Sequence, residues 1–385
     1  MSKSWTHTAP IAEIRSHVAG HWLFVTVTTE CGTTGIGEAT YFPHPLATAA
    51  VIEDLGSIYI GADAFRPEWL FQLAIKHHCI RDACQIAAVS ALDQALWDIK
   101  GKALGVPVWQ LLGGLVRDKV RAILLVEAAS VDALIAGAVA ARDEGFTAIK
   151  LKPFVGDWAR QTTARMLQDV ITTVQETRAA VGWDIDIAVE LHRNLPPDLA
   201  GVFADGVRSM RPYFLEDPVM PFSLAANVQA ARSMGGTVAL AERVTNIWEF
   251  RDYSDCPDIA ILRPDIGLAG GFTQMRKIAA IAESRQQRIV PHNFTSPVAT
   301  AAHIQMAAAT VNWDVQGYVR EDRDPWRQVV KAVNRIEDGY LVIPEVPGIG
   351  MELDLEWLEG ASYQPFGSQF HHGLARAADG GPRQI

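Results

Sequence analysis

From residue 122 onward, eight short apolar runs recur at intervals that fit one strand plus one helix. They read AILLVEA, AIKLKPF, IDIAVELH, PYFLEDP, VALAERV, IAILRPD, RIVPHN and NWDVQGY, with helical patterning between them. Strands that alternate with helices pair in parallel. Eight such units predict a sheet closed on itself, a (β/α)8 barrel. In a barrel the C-terminal strand ends converge on one mouth, and catalytic groups gather there. The residues that end each run therefore matter most.

Three consecutive runs end on glutamate. Glu190, Glu216 and Glu242 are spaced 26 and 26 apart (216 − 190 and 242 − 216). Asp265 follows 23 later (265 − 242) and His292 a further 27 (292 − 265). Burying an unpaired carboxylate is costly, and three at one mouth repel each other unless a cation joins them. Oxygen donors without a Cys or His cluster suit a hard ion such as Mg²⁺. A single Glu after a strand is usually a solvated loop residue. The equal spacing favours a metal site here.

Basic groups accompany the acidic ones. Lys150 and Lys152 lie two apart in AIKLKPF and share one face of a strand. Lys152, nearer the C-terminal end, could reach a substrate carbon. Lys150 would meet a substrate carboxylate or tune its neighbour. His292 ends another run, and Asp265 at the preceding strand end can orient its ring and raise its basicity. His192 follows Glu190 by two residues, which predicts the same face and a place at the mouth without metal ligation. His44, His77, His78, His303, His371 and His372 have no such context and read as structural or surface residues.

The 385 residues carry a net charge of −10, which argues against nucleic acid as a partner. Cys31, Cys79, Cys84 and Cys256 are irregularly spaced and give neither a zinc motif nor a disulfide framework. No signal peptide or transmembrane run is legible, so the expectation is a cytoplasmic protein with no membrane partner. Ahead of the barrel, AEIRSHV and WLFVTVTTE read as strands and CGTTGIGEA as a hairpin return. Residues 45–115 read as helices, and residues beyond about 359 as a polar tail.

AAVSALDQALWDIKGKALGVPVWQLLGG, followed by KLK, VELH, FLEDP, AERV, RPDIGLAGG and VPHNF in that order, resembles the mandelate racemase/muconate lactonising branch of the enolase superfamily. The resemblance covers nearly the whole chain. It implies a modified (β/α)8 TIM barrel under an α+β capping domain. The expected division is 1–118 for the cap, 119–344 for the barrel, and 345–385 for a C-terminal return and tail. It implies Mg²⁺ on Glu190, Glu216 and Glu242. The implied chemistry is proton abstraction α to a carboxylate, with Mg²⁺ stabilising the enediolate, as the superfamily does with a Lys or His base. The partner would be a small carboxylate substrate, and the assembly a homo-oligomer.

Within the branch, VELHRN resembles acid-sugar dehydratases of the gluconate and galactonate type. That likeness makes His192 the acid that protonates the departing 3-hydroxyl, and His292, held by Asp265, the base. The product would be a 2-keto-3-deoxy sugar acid. Two features depart from that pattern. Lys150 and Lys152 together resemble the two-lysine arrangement of racemases, so 1,1-proton transfer by Lys152 and His292 is the alternative. Family members often place a glutamate at the eighth strand end, where this chain has Gly317. Gln316, Tyr318 and Glu321 are the candidates to replace it, with Tyr318 taken as substrate-binding. A non-catalytic metal- or sugar-binding protein on an inherited barrel is a third reading.

Overall fold

The computed structural model describes residues 8–40, 44–78, 82–364 and 376–381. Residues 41–43, 79–81 and 371–372, and the side chains of His77 and His78, lie outside the described residues.

The N-terminal sheet holds β1 (Ile11–Ala19), β2 (Trp22–Thr29) and β3 (Thr34–Glu38), antiparallel in that order. Behind it lies the helix Ala83–Leu104, which starts where Asp82 accepts a hydrogen bond from the Gln85 amide and ends at Gly105 in the left-handed region. Gly35 and Gly37 allow its close approach. A Cβ on either would sit about 2 Å from the carbonyl oxygen of Ala95 or Ala91.

The polar residues of that helix explain its sequence signature. Ser90 Oγ accepts from the Gly270 amide, Asp93 Oδ2 from the Thr273 amide, and Trp97 Nε1 donates to Thr273 Oγ1. They hold the cap to the N-terminus of the barrel helix Gly271–Ser284. Asp98 accepts from Ile36 and from Ile349, joining cap sheet and C-terminal return.

All eight runs form barrel strands: β4 (Lys119–Val126), β5 (Ala148–Leu151), β6 (Asp186–Glu190), β7 (Leu215–Glu216), β8 (Val238–Leu240), β9 (Ile261–Leu262), β10 (Arg288–Ile289) and β11 (Gln316–Tyr318). β4 to β10 pair in parallel in chain order, and β11 pairs back onto β4. A single bridge between Ile289 and Trp313 closes the seam from β10 to β11. A hairpin of β12 (Ile336–Glu337) and β13 (Tyr340–Val342) then extends the sheet antiparallel to the start of β4. The polar segment read as a tail is anchored at its start. At the β1–β2 turn the Gly20 amide donates to the Ser362 carbonyl and the Gln364 amide donates to the Gly20 carbonyl, since an open hairpin end has free amides and carbonyls to satisfy.

The cap meets the barrel beside the seventh strand end. Trp22 Nε1 donates to the Thr295 carbonyl, and Glu38 Oε2 accepts from Ser296 Oγ and the Ala299 amide. Burial pushes the Glu38 carboxyl up to about 7. Between its unfolded value and about 7, the folded chain holds a proton that the unfolded chain has lost. Its contribution to stability therefore falls as pH rises through that window. Glu38→Gln is expected to flatten this part of the pH–stability curve. Melting temperatures from pH 4.5 to 8 check this, and a variant that parallels the wild type overturns it.

Candidate active site

One side chain from each of the eight runs forms a closed apolar layer: Ile123, Ala148, Ala188, Phe214, Ala239, Ile261, Val290 and Val315. Strand side chains alternate, so residues two further on point inward one layer higher. Those are Leu125, Lys150, Glu190, Glu216, Ala241, Arg263, His292 and Gly317. Glu242 is three beyond Ala239, the wrong parity. Ala241 adopts φ +87, an uncommon conformation for a non-glycine residue, at the position where parity changes.

Glu190, Glu216 and Glu242 come together with ligand oxygens all within 4.8 Å of one another, and all three are buried. Opposite oxygens of an octahedral Mg²⁺ shell lie about 4.2 Å apart, so the trio is of the right size. Lys150 Nζ lies 3.1 Å from Glu190 and 2.9 Å from Glu216. Arg263 Nε is 2.9 Å from Glu216 Oε1, close enough for an ion pair but out of line for a hydrogen bond. Glu216 Oε2 is buried without a hydrogen-bond partner. An orphaned buried carboxylate oxygen is what a cation site leaves when only protein groups are counted.

Electrostatics separate the trio. Burial pushes Glu216 well above the usual carboxylate range, and Glu190 adds repulsion. Burial opposes the charge of Glu190 too, but Lys150 overrides it and holds that carboxyl low. Against the same burial, His292 when its ring is charged, together with Arg193 and Arg243, holds Glu242 low.

His292 Nδ1 lies 2.7 Å from Asp265 Oδ2, while its Nε2 faces Glu242 at 3.6 Å. Asp265 is fixed in turn, since its Oδ1 accepts from the Gly267 amide. Asp265 accepts only, so His292 carries its proton on Nδ1 and presents Nε2 to the mouth.

His192 also lines the mouth, by a route that strand alternation does not describe. β6 ends at Glu190, and His192 and Arg193 both take left-handed conformations, φ +50 and +64. The His192 amide donates to Glu190 Oε1, and Arg193 donates to His192 Nε2 at 2.9 Å. Arginine has no acceptor, so the His192 ring proton sits on Nδ1. Burial, with Arg193 next, lowers the His192 pKa to about 3, which keeps the ring neutral.

Lys150, Glu190, His192, Arg193, Glu242, Arg263 and His292 line a cavity of about 610 Å³ with Lys152, Asn293, Tyr318 and Trp326, while Glu216 and Asp265 are not part of its lining. Lys152 Nζ is paired with Glu127 at 2.7 Å. Lys150 is occupied by two glutamates. Tyr318 reaches the cavity edge, with its ring stacked on Phe146. Gly317 takes the eighth place of the inward layer. A Cβ there would lie 3.2 Å from the Asn293 carbonyl, so the glycine admits the loop that carries His292. Glu321 does not reach the cavity; it is buried against Thr300 and Asn334. Gln316 is turned onto the Gly317 carbonyl.

Residues 2–113 match the N-terminal domain of mandelate racemase/muconate lactonizing enzymes, and residues 133–357 match the enolase C-terminal domain-like family. The chain belongs to the enolase superfamily. Within it, the chain is 32% identical over 349 residues to the D-galactonate dehydratase of Ralstonia pickettii, covering 86% of this chain and 89% of that one. It is 31% identical to the D-galactonate dehydratase of Cronobacter sakazakii, covering 93% and 95%. Among solved structures, an enolase from Agrobacterium radiobacter with Na and L-malate bound superimposes with a TM-score of 0.88 at 28% identity, covering 93% and 96%. The chain thus falls in the mandelate racemase/muconate lactonizing branch and resembles its acid-sugar dehydratases.

Sequence reading missed several members of the site. Arg263 was legible, because it stands two before Asp265 and shares its face. Arg193 and Asp217 were not. Each is in the left-handed region, φ +64 and +41, where sequence parity says nothing about direction.

Proposed function

We propose that the protein is a Mg²⁺-dependent acid-sugar dehydratase that converts an aldonate or aldarate to its 2-keto-3-deoxy acid. The observation that carries this reading is the shared cavity. A carboxylate-held base, His292, and a second neutral histidine, His192, flank three glutamates that fit a hard cation. When bound there, a divalent cation supplies the positive charge that makes the carbon acid α to a carboxylate accessible to a side-chain base.

The chain's own residues do the rest. His292 Nε2 takes the α-proton, and Asp265 stabilises the imidazolium that results. His192 takes up a solvent proton as the substrate's negative charge enters the cavity and passes it to the departing 3-hydroxyl, which leaves as water and returns the ring to its neutral form. Lys150 and Arg263 hold the glutamates in place. Lys152 donates to the substrate as a cation. Racemisation would need Lys152 Nζ turned to the substrate carbon, and here it is paired with the Glu127 carboxylate at 2.7 Å instead.

A library of aldonates and aldarates, D-galactonate included, supplied with Mg²⁺ is expected to yield a semicarbazide-reactive keto acid. No keto product from any member would sink the reading. His192→Asn is expected to lower dehydration by about 10²–10⁴-fold. It should leave α-proton exchange with D₂O intact, as proton NMR would show. Loss of both together would place His192 elsewhere in the mechanism.

A further inference from the structure

Four cations surround the glutamate trio, and three of them come from predictable places. Lys150 and Arg263 stand in the same inward layer as the glutamates, and Arg243 follows Glu242 directly. Arg193 is different. It leaves the end of β6 and crosses to the residues that follow two other strands. Its Nη1 contacts Glu242 Oε1 and lies 3.2 Å from Asp217 Oδ2, and its Nη2 lies 2.9 Å from His192.

Its guanidinium is largely buried, with 13% of the side chain exposed. Reaching there takes two successive non-glycine residues with positive φ, His192 and Arg193. Each such conformation is strained and persists only where surrounding contacts impose it. The contacts here are the Arg193 amide to the Asp217 carbonyl at 2.7 Å, the His192 amide to Glu190 at 2.8 Å, and the charge contacts of the guanidinium. Glu242 also pairs with Arg243 at 3.0 Å, but the buried Asp217 carboxyl has Arg193 as its ion-pair partner among the described residues.

We propose that Arg193 is a built-in counter-cation of the metal centre. It neutralises Glu242 and Asp217 while the centre holds no ion, and it competes with a divalent cation for Glu242. The centre is thereby set to bind metal weakly and to stay folded without it. The inference rests on the reading of the trio as a metal centre. It concerns the binding equilibrium and not the chemical step.

Calorimetric titration of Mg²⁺ into the EDTA-stripped full chain tests it, with thermal melting in EDTA and in excess Mg²⁺ alongside. Arg193→Met keeps much of the side-chain volume and removes the charge. Taking a like charge from beside an ion site is expected to tighten Mg²⁺ binding by roughly tenfold to a hundredfold. The EDTA melting temperature should fall by about 5 °C or more, and Mg²⁺ should restore it. Arg193→Lys keeps the charge but not the fork, and its affinity should lie between the two. If the Met variant does not fold without metal, the comparison of Lys variant with wild type decides. Equal or weaker Mg²⁺ binding in a folded variant overturns the role of Arg193. A wild-type chain that binds no Mg²⁺ overturns the metal-centre reading itself.

Discussion

Replacing His292 by Asn is expected to abolish dehydration and α-proton exchange together, each falling by about 10³–10⁴-fold. The residue sits at the end of the seventh barrel strand with its Nδ1 pinned to Asp265 at 2.7 Å. Asparagine has no group able to take a proton at Nε2. Because proton abstraction comes first, no later step can proceed without it. Asp265→Asn should be severe too, since an amide can donate to the ring and let it settle in the wrong tautomer. Rates of keto-acid formation and of deuterium uptake, measured on the same preparation, give the answer. If His292→Asn keeps Cα exchange while losing dehydration, another residue is the base, and Lys152 becomes the leading candidate.

Glu216→Gln should affect binding and turnover at once. Glu216 is the middle carboxylate of the trio, with Oε1 toward Lys150 and Arg263 and Oε2 without a partner. Removing its charge is expected to weaken Mg²⁺ binding by at least about a hundredfold and turnover by at least about a thousandfold. The metal-free fold should change little, because burial and Glu190 already disfavour the charged form of this carboxyl. Wild type should gain roughly 2.7 kcal/mol of stability at a hundredfold excess of Mg²⁺ over its Kd, and the variant should gain far less. Calorimetry and melting curves measure both. A variant with undiminished metal binding and turnover would remove Glu216 from the centre.

The sequence carried the barrel because two physical periods were intact in it. Every apolar run from AILLVEA to NWDVQGY became a strand, since each is too short for a buried helix and satisfies its backbone by pairing with neighbouring strands. The 26-residue spacing brought Glu190 and Glu216 to one height, because each step is one β/α unit. Strand parity put Lys150 and Lys152 on one face, and both line the cavity. It also marked Arg263, which passed unremarked in a run valued for its aspartate.

Parity failed wherever the backbone left the strand. Glu242 is on the inner side although it stands three, not two, beyond Ala239, and Ala241 at φ +87 marks the break in parity. His192 lines the mouth through two left-handed residues and not through its two-residue spacing from Glu190. The partners that decide chemistry were also set across the sequence. Glu127 beside Lys152, and Arg193 on Glu242, join residues 25 and 49 positions apart.

By itself, then, the sequence determined which elements form, their order, and which side chains share a strand face. Those follow from local periodicity and from the need to bury apolar surface. Only the tertiary structure decided which cation faces which carboxylate, which nitrogen of each histidine holds the proton, and why Gly317 has no carboxylate. Those depend on distances of about 3 Å between groups on different strands. A left-handed turn of one residue can redirect such a group, and no one-dimensional pattern records that turn.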